Sequence, residues 1–311
     1  MSLIQNILEV AQQVAVLFLL MAVGVVLAKT KKLTDAGIRE MTHLLLTIVT
    51  VCVIVESFLT VEFSKERLGE MLISAACSVF SVAAGALLTK PLFRKVPGER
   101  QVLRFGTCFS NCGYMALPLV SALFGNEGVF LVSIYLAVFQ VCLWTYGVTL
   151  FPSPDGKGRS FKKALLNPGV IGILIGLPLF LLHLSVPQMV LSPVAFLADL
   201  NTPLAMIITG FYLAASKLKL FAKDIRIIWA SLLRLLVVPL LLLALLKVCR
   251  VSSALLPILM VPACTPSASV TTLFAVEFGG DEETASRMIT ISTLLSILTM
   301  PLVIALAQTI A

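Results

Sequence analysis

Ten apolar runs, each close to the ~20 residues a helix needs to cross a bilayer, follow one another along 311 residues. Short charged or Pro-containing turns separate them. No other feature constrains the fold as tightly, because in lipid every backbone N–H and C=O must be satisfied internally. Hydrophobic residues make up 59% of the chain and charged residues 13%, with a mean hydropathy of +1.04. The class expected is therefore an all-α polytopic membrane protein with ten transmembrane helices.

Two of the runs are internally broken. Phe105 to Gly125 carries Asn111, Gly113 and Pro118, and Val261 to Gly279 carries Pro262, Thr265, Pro266 and Ser267. Pro removes a backbone donor and Gly loosens the helix, so an interruption is expected between Asn111 and Pro118, and another around Pro266. Both runs end alike, on Phe124-Gly125-Asn126-Glu127 and Phe278-Gly279-Gly280-Asp281, about half a chain length apart. Interrupted spans in corresponding positions of two halves are the sequence mark of a transporter's binding site. Asn111 is the best-placed ligand group, offering donors and an acceptor without a buried charge. Its alternative role is a hydrogen bond between packed helices.

The division expected is a first five-helix repeat at 1–151, a polar Pro/Gly/Lys-rich cytoplasmic linker at 152–163, and a second five-helix repeat at 164–311. Loops after odd-numbered spans carry 18 Lys and Arg; those after even-numbered spans carry only Lys65, Arg67, Lys247 and Arg250. The positive-inside rule then places the odd loops in the cytoplasm and both termini outside. With five spans per half, the second repeat enters from the opposite side and is inverted.

Ionisable groups inside spans are costly and face a bundle interior or a wet cavity. Asp199, within Leu197-Ala198-Asp199-Leu200-Asn201-Thr202-Pro203, has two readings: a proton- or cation-binding group, or a structural one that caps a loosened helix or pairs with a basic residue. Arg234, about nine residues into span eight, would suit a carboxylate, but structural pairing or snorkelling is the stronger expectation. Glu56, Glu277, His43 and His183 fall near span ends and receive no chemistry. Gly169, Gly172 and Gly176 have the spacing of a helix-packing face.

Other functions find little material. Seven cysteines, nearly all scattered through apolar runs, make no disulfide framework, and Cys108 and Cys112 lack the partners a metal would need. The net charge of +7 sits in short loops, so nucleic acid is not an expected partner. No Walker loop, GxSxG or HExxH is present, and no enzymatic activity or cofactor is expected. The first run is followed by Lys29, Lys31 and Lys32 without a cleavage pattern, so no cleavable leader is expected.

Together these pieces resemble the auxin efflux carrier family, through its bacterial members related to the plant PIN carriers. The resemblance lies in Asn111-x-Gly113 with Leu117-Pro118 and Phe124-Gly125, in Asn167-Pro168, and in Asp199 with Thr202-Pro203-Leu204 and Gly210. It continues through Arg234 with Pro239, Ala263 with Pro266, and Thr293-Leu294-Leu295-Ser296 with Pro301, in order over the whole chain. One departure is Ile48-Val49-Thr50-Val51-Cys52, where family members often carry a Pro, and it leaves any substrate contact from span two open.

The resemblance implies crossing broken helices at spans four and nine, a scaffold of spans 1, 2, 6 and 7, and an elevator-like transport domain. It also implies small organic carboxylate substrates held near Asn111, Gly113, Pro118, Thr265, Pro266 and Ser267. The function expected is a secondary transporter of organic anions in the cell (inner or plasma) membrane, coupled to H+ or Na+ if to any ion. A homodimer is the oligomeric state entertained. The alternatives are a bile-acid-type sodium symporter, or a channel or sensor on the same scaffold.

Overall fold

The computed structural model describes residues 3–62, 64–94, 99–151, 168–182, 186–215 and 224–310. The linker expected at 152–163, together with Asn167 and His183, lies outside the described residues. Everything regular among those described is helical. The helices are α1 (Leu3–Lys29), α2 (Asp35–Leu44), α3 (Thr50–Thr60), α4 (Lys65–Leu92), α5 (Arg100–Cys108), α6 (Leu117–Thr145) and α7 (Pro168–Leu181). They continue as α8 (Gln188–Asp199), α9 (Asn201–Ala215), α10 (Ile225–Leu232), α11 (Val238–Val248), α12 (Leu255–Cys264), α13 (Val270–Phe278) and α14 (Glu282–Ile310).

Seven helical stretches among the described residues are long and apolar enough to cross a membrane, with Pro168–Leu181 and Leu255–Cys264 as shorter apolar helices. This is an all-α polytopic membrane protein. One stretch, Cys112–Leu150, is 39 residues long and kinks at Gly125, whose φ of 58° and ψ of −154° suit only glycine. The expected division between spans four and five falls at this kink. Caps punctuate other ends: the Thr34 and Ser64 hydroxyls accept from the N–H of Gly37 and Arg67. Gly279 ends α13 in the left-handed region.

Three π-turns interrupt the α-helical ladder, at Leu45–Val49, Cys112–Ala116 and Leu233–Val237. The second and third precede Pro118 and Pro239, each at the start of the following α-helix. A proline ring clashes with the carbonyl four residues back, and the extra residue of a π-turn relieves that clash. The first has no proline; the Thr50 hydroxyl donates to the displaced Leu45 carbonyl at 2.8 Å instead. It overlaps the Ile48–Cys52 stretch of span two at Ile48 and Val49.

Lipid-facing and packed faces separate cleanly. Leu19, Leu72, Leu87 and Phe196 are exposed, as suits side chains meeting acyl chains. Buried hydroxyls such as Ser74, Thr89 and Ser133 donate to backbone carbonyls. Close packing rests on small residues. Gly24 on α1 and Gly210 on α9 let the two backbones touch, and Gly172 and Gly176 of α7 sit against Ile54 and Phe58 of α3. The rings of Phe58, Phe130 and Phe180 then join α3, α6 and α7, with Phe58 and Phe130 centred 4.8 Å apart. At the end where α5 and α10 begin, Arg226 bridges Asp224 and Glu99 at 3.0 and 3.2 Å.

Candidate substrate site at the crossing of two broken helices

The centre of the molecule is a crossover. Helix α5 ends at Cys108 and Phe109 turns extended, with φ −108° and ψ 119°. Across from it α12 ends at Cys264 and Thr265 turns extended, with φ −67° and ψ 153°. The two unwound segments run antiparallel, with Ser110 opposite Ser267. The Asn111 N–H donates to the Pro266 carbonyl at 2.7 Å, and the Ala268 N–H donates to the Phe109 carbonyl at 2.9 Å. Unwinding a helix in lipid strands polar groups at several kcal/mol each, and here the two breaks satisfy one another. The first break is at Phe109–Asn111, upstream of the expected Asn111–Pro118 interval, because pairing with the opposite strand selects it. Pro118 lies within the helix that follows.

Arg234 closes the crossover from behind. It is fully buried, and its guanidinium donates to the carbonyls of Thr107 and Cys108 at 3.4 and 3.3 Å and to that of Ala263. It therefore caps the C-terminal ends of α5 and α12 together, satisfying carbonyls that helix ends leave open. Of the readings open for it, this is structural pairing, with backbone as the partner.

In front of the crossover lies a cavity of about 460 Å3. Ser110, Asn111, Gly113, Ala268 and Ser269 of the two breaks line it. The Asn111 amide donates to the Ser269 hydroxyl at 3.3 Å, and both residues stand at the starts of the downstream half-helices. Such starts carry unpaired N–H groups and partial positive charge. Asn201 and Gln140 add amides; the Gln140 carbonyl oxygen and the Ser110 hydroxyl are buried without a hydrogen-bond partner among the described residues. Leu136, Phe139, Leu143, Leu273 and Phe274 make much of the remaining wall apolar. Span two lines one side through Arg39, His43, Thr47 and Thr50. Arg39 and Thr50 are eleven residues apart on one helical run, about 16 Å, so the cavity is long. Arg39 and His43 are exposed.

Of the residues singled out in the sequence, Asn111 and Gly113 are on the cavity wall. Thr265, Pro266 and Ser267 are buried in the crossing strand, where the Thr265 hydroxyl donates to the Pro262 carbonyl and the Ser267 N–H donates to the Ser292 hydroxyl. Pro118 is buried away from the cavity wall. Asp199 is exposed at the joint where α8 stops and α9 begins; Leu200 between them keeps a right-handed helical backbone, so span seven is loosened there but continuous. Asn201, two residues on, reaches the cavity. Sequence reasoning passed over Ser269, Gln140, Asn201, Arg39 and His43. The hydroxyl run after Pro266 was the available signal for Ser269.

A helical membrane protein with two paired helix breaks fronting an elongated cavity has the build of a multi-pass membrane transporter. Over residues 9–304 the sequence matches the membrane transport protein family, the auxin-efflux-carrier-like group, and the chain belongs to that family. It is also 26% identical over 208 residues to an uncharacterized transporter of Methanothermobacter thermautotrophicus, covering 66% of this chain and 67% of that one.

Proposed function

We propose that the protein is a secondary transporter of small organic carboxylates, bound where Asn111 and Ser269 meet at the starts of two half-helices. That meeting is the observation that carries the reading: freed amides and partial positive charge converge on one wall of a cavity, an arrangement that favours an anion. The apolar remainder and the volume of about 460 Å3 favour an acid with an apolar or aromatic body over a compact dicarboxylate.

In this reading the chain crosses the membrane ten times as two inverted halves, 1–151 and 164–311, joined by a cytoplasmic linker, with both termini outside. The glycine-tight pairs α1–α9 and α3–α7 support a rigid scaffold of spans 1, 2, 6 and 7. The crossover belongs to the part that moves against it. Asp199 is the candidate for H+ or Na+ coupling, acting at the α8–α9 joint rather than on the substrate. The cavity would load from the cytoplasm past Arg39 and His43.

The test is a thermal-shift titration of purified protein with phenylacetate, indole-3-acetate and malate, at two pH values and with or without sodium. A ligand stabilises in proportion to the logarithm of its concentration over its dissociation constant. Stabilisation by the aromatic acids, reduced in Asn111→Ala as an about five- to tenfold weaker affinity requires, is expected. A shift only with cations or amines would overturn the anion assignment.

A further inference from the structure

We propose that Arg234, although it does not line the cavity, sets the sign of charge that the crossover selects. The proposal rests on the carboxylate-carrier reading above and deepens it. Four helix ends meet at the crossing. The C-termini of α5 and α12 each carry about half a negative charge, and the starts of the two downstream half-helices each carry about half a positive one. Summed over the four ends the charge is zero, so the nearer positive ends alone favour an acid over its neutral amide only weakly.

Arg234 removes the cancellation. Its guanidinium is bonded to carbonyls of both C-termini, Thr107 and Cys108 on one side and Ala263 on the other. It is fully buried, and no carboxylate pairs with it among the described residues. Arginine keeps its charge in protein interiors. The negative ends are thus neutralised by one fixed cation, and the positive ends, beside Asn111 and Ser269, are left to act on the cavity. In a low-dielectric interior that imbalance is felt across several ångströms. Arg234 is a positioning residue too, since one planar fork holds both half-helices at once.

The test separates charge from scaffolding with an isosteric pair, phenylacetate and phenylacetamide, titrated against wild type, Arg234→Gln and Arg234→Lys at neutral pH. Wild type should prefer the acid by about tenfold or more. Arg234→Lys keeps the charge and loses the fork. It should melt earlier yet hold the acid-to-amide ratio within about threefold. Arg234→Gln should lose the preference by about tenfold through the acid, with amide affinity changed less than about threefold.

An undiminished acid preference in Arg234→Gln would overturn the proposal, as would both ligands weakening in step. If Arg234→Gln does not fold, Arg234→Lys decides: loss of acid preference with amide binding intact is equally fatal. The carrier reading fails separately, if wild type binds no acid or Asn111→Ala binds it unchanged.

Discussion

The amide of Asn111 donates to the hydroxyl of Ser269 across 3.3 Å, joining residues 158 positions apart and one from each broken span. Each stands just before a half-helix, so their contact marks the point where two helix starts face one cavity. Truncating either should weaken carboxylate binding by about five- to tenfold, the scale of one hydrogen bond to a charged group. Asn111→Asp should cost more than Asn111→Ala, because it sets a negative charge against the substrate's own. Uptake kinetics in proteoliposomes would check both, and equal affinity in all three proteins would remove Asn111 from the site.

Accessibility offers a test that needs no substrate. Ser269 lines the cavity, whereas Thr265, four residues earlier, is completely buried. In a background without the seven native cysteines, Ser269→Cys should react with a small water-soluble thiosulfonate and Thr265→Cys should not. The reverse pattern would mean that the wetted face of the second break has been misassigned.

Two glycines hold α1 against α9 so closely that any side chain meets backbone. A Cβ at Gly210 would fall on the Met21 carbonyl, and one at Gly24 on the Ile207 carbonyl. Gly210→Ala and Gly24→Ala should each destabilise by about 2 kcal/mol or more, read as an earlier melting transition. At Gly69, exposed on α4, a Cβ meets nothing within 4 Å, and Gly69→Ala should stabilise by about 0.5–1 kcal/mol.

The Glu99–Arg226–Asp224 group gives a pH dependence of definite sign. Burial pushes the Glu99 carboxyl up, and Arg226 only partly offsets it. At Asp224 burial acts the same way, but the hydrogen bonds and charge of Arg226 outweigh it and hold the carboxyl below its usual range. A raised folded-state value contributes stability at pH below the unfolded value, about 4.3 for Glu, and loses it as pH climbs through the folded value. Wild type should therefore lose ground to Glu99→Gln as pH rises from about 4. Asp224 works in the opposite direction: its contribution is present above about 3.9 and fades below its folded value. Melting curves of wild type, Glu99→Gln and Asp224→Asn between about pH 2 and 8 would expose both slopes, that of Asp224 below about pH 4, and parallel curves would rule the mechanism out.

Much of the architecture was readable because lipid punishes unpaired backbone. A polar or Pro-bearing patch inside an apolar run marks a weak point: Pro266 marked a break and the Asp199–Pro203 run a loosened joint. Asn111 was legible for the same reason. Pro118 misled about position, since a proline near a helix start is tolerated and its clash was absorbed in a π-turn. The cavity wall was mostly hidden. Arg39, Gln140 and Asn201 come from three separate helical runs, and hydropathy fixes no rotation about a helix axis. The partners of Arg234 are carbonyls, which leave no trace in the identity of Thr107, Cys108 or Ala263.

The antiparallel pairing of the two unwound segments is made by main-chain atoms: Asn111 N–H to Pro266 C=O and Ala268 N–H to Phe109 C=O. That pairing uses none of the side chains at 110, 111 and 269, whose one bond across the crossing, among the described residues, is Asn111 to Ser269. Exchanging them alters what the cavity presents and leaves the two main-chain bonds in place. A lineage built on this plan can change its ligand through single substitutions, each passing through a folded intermediate.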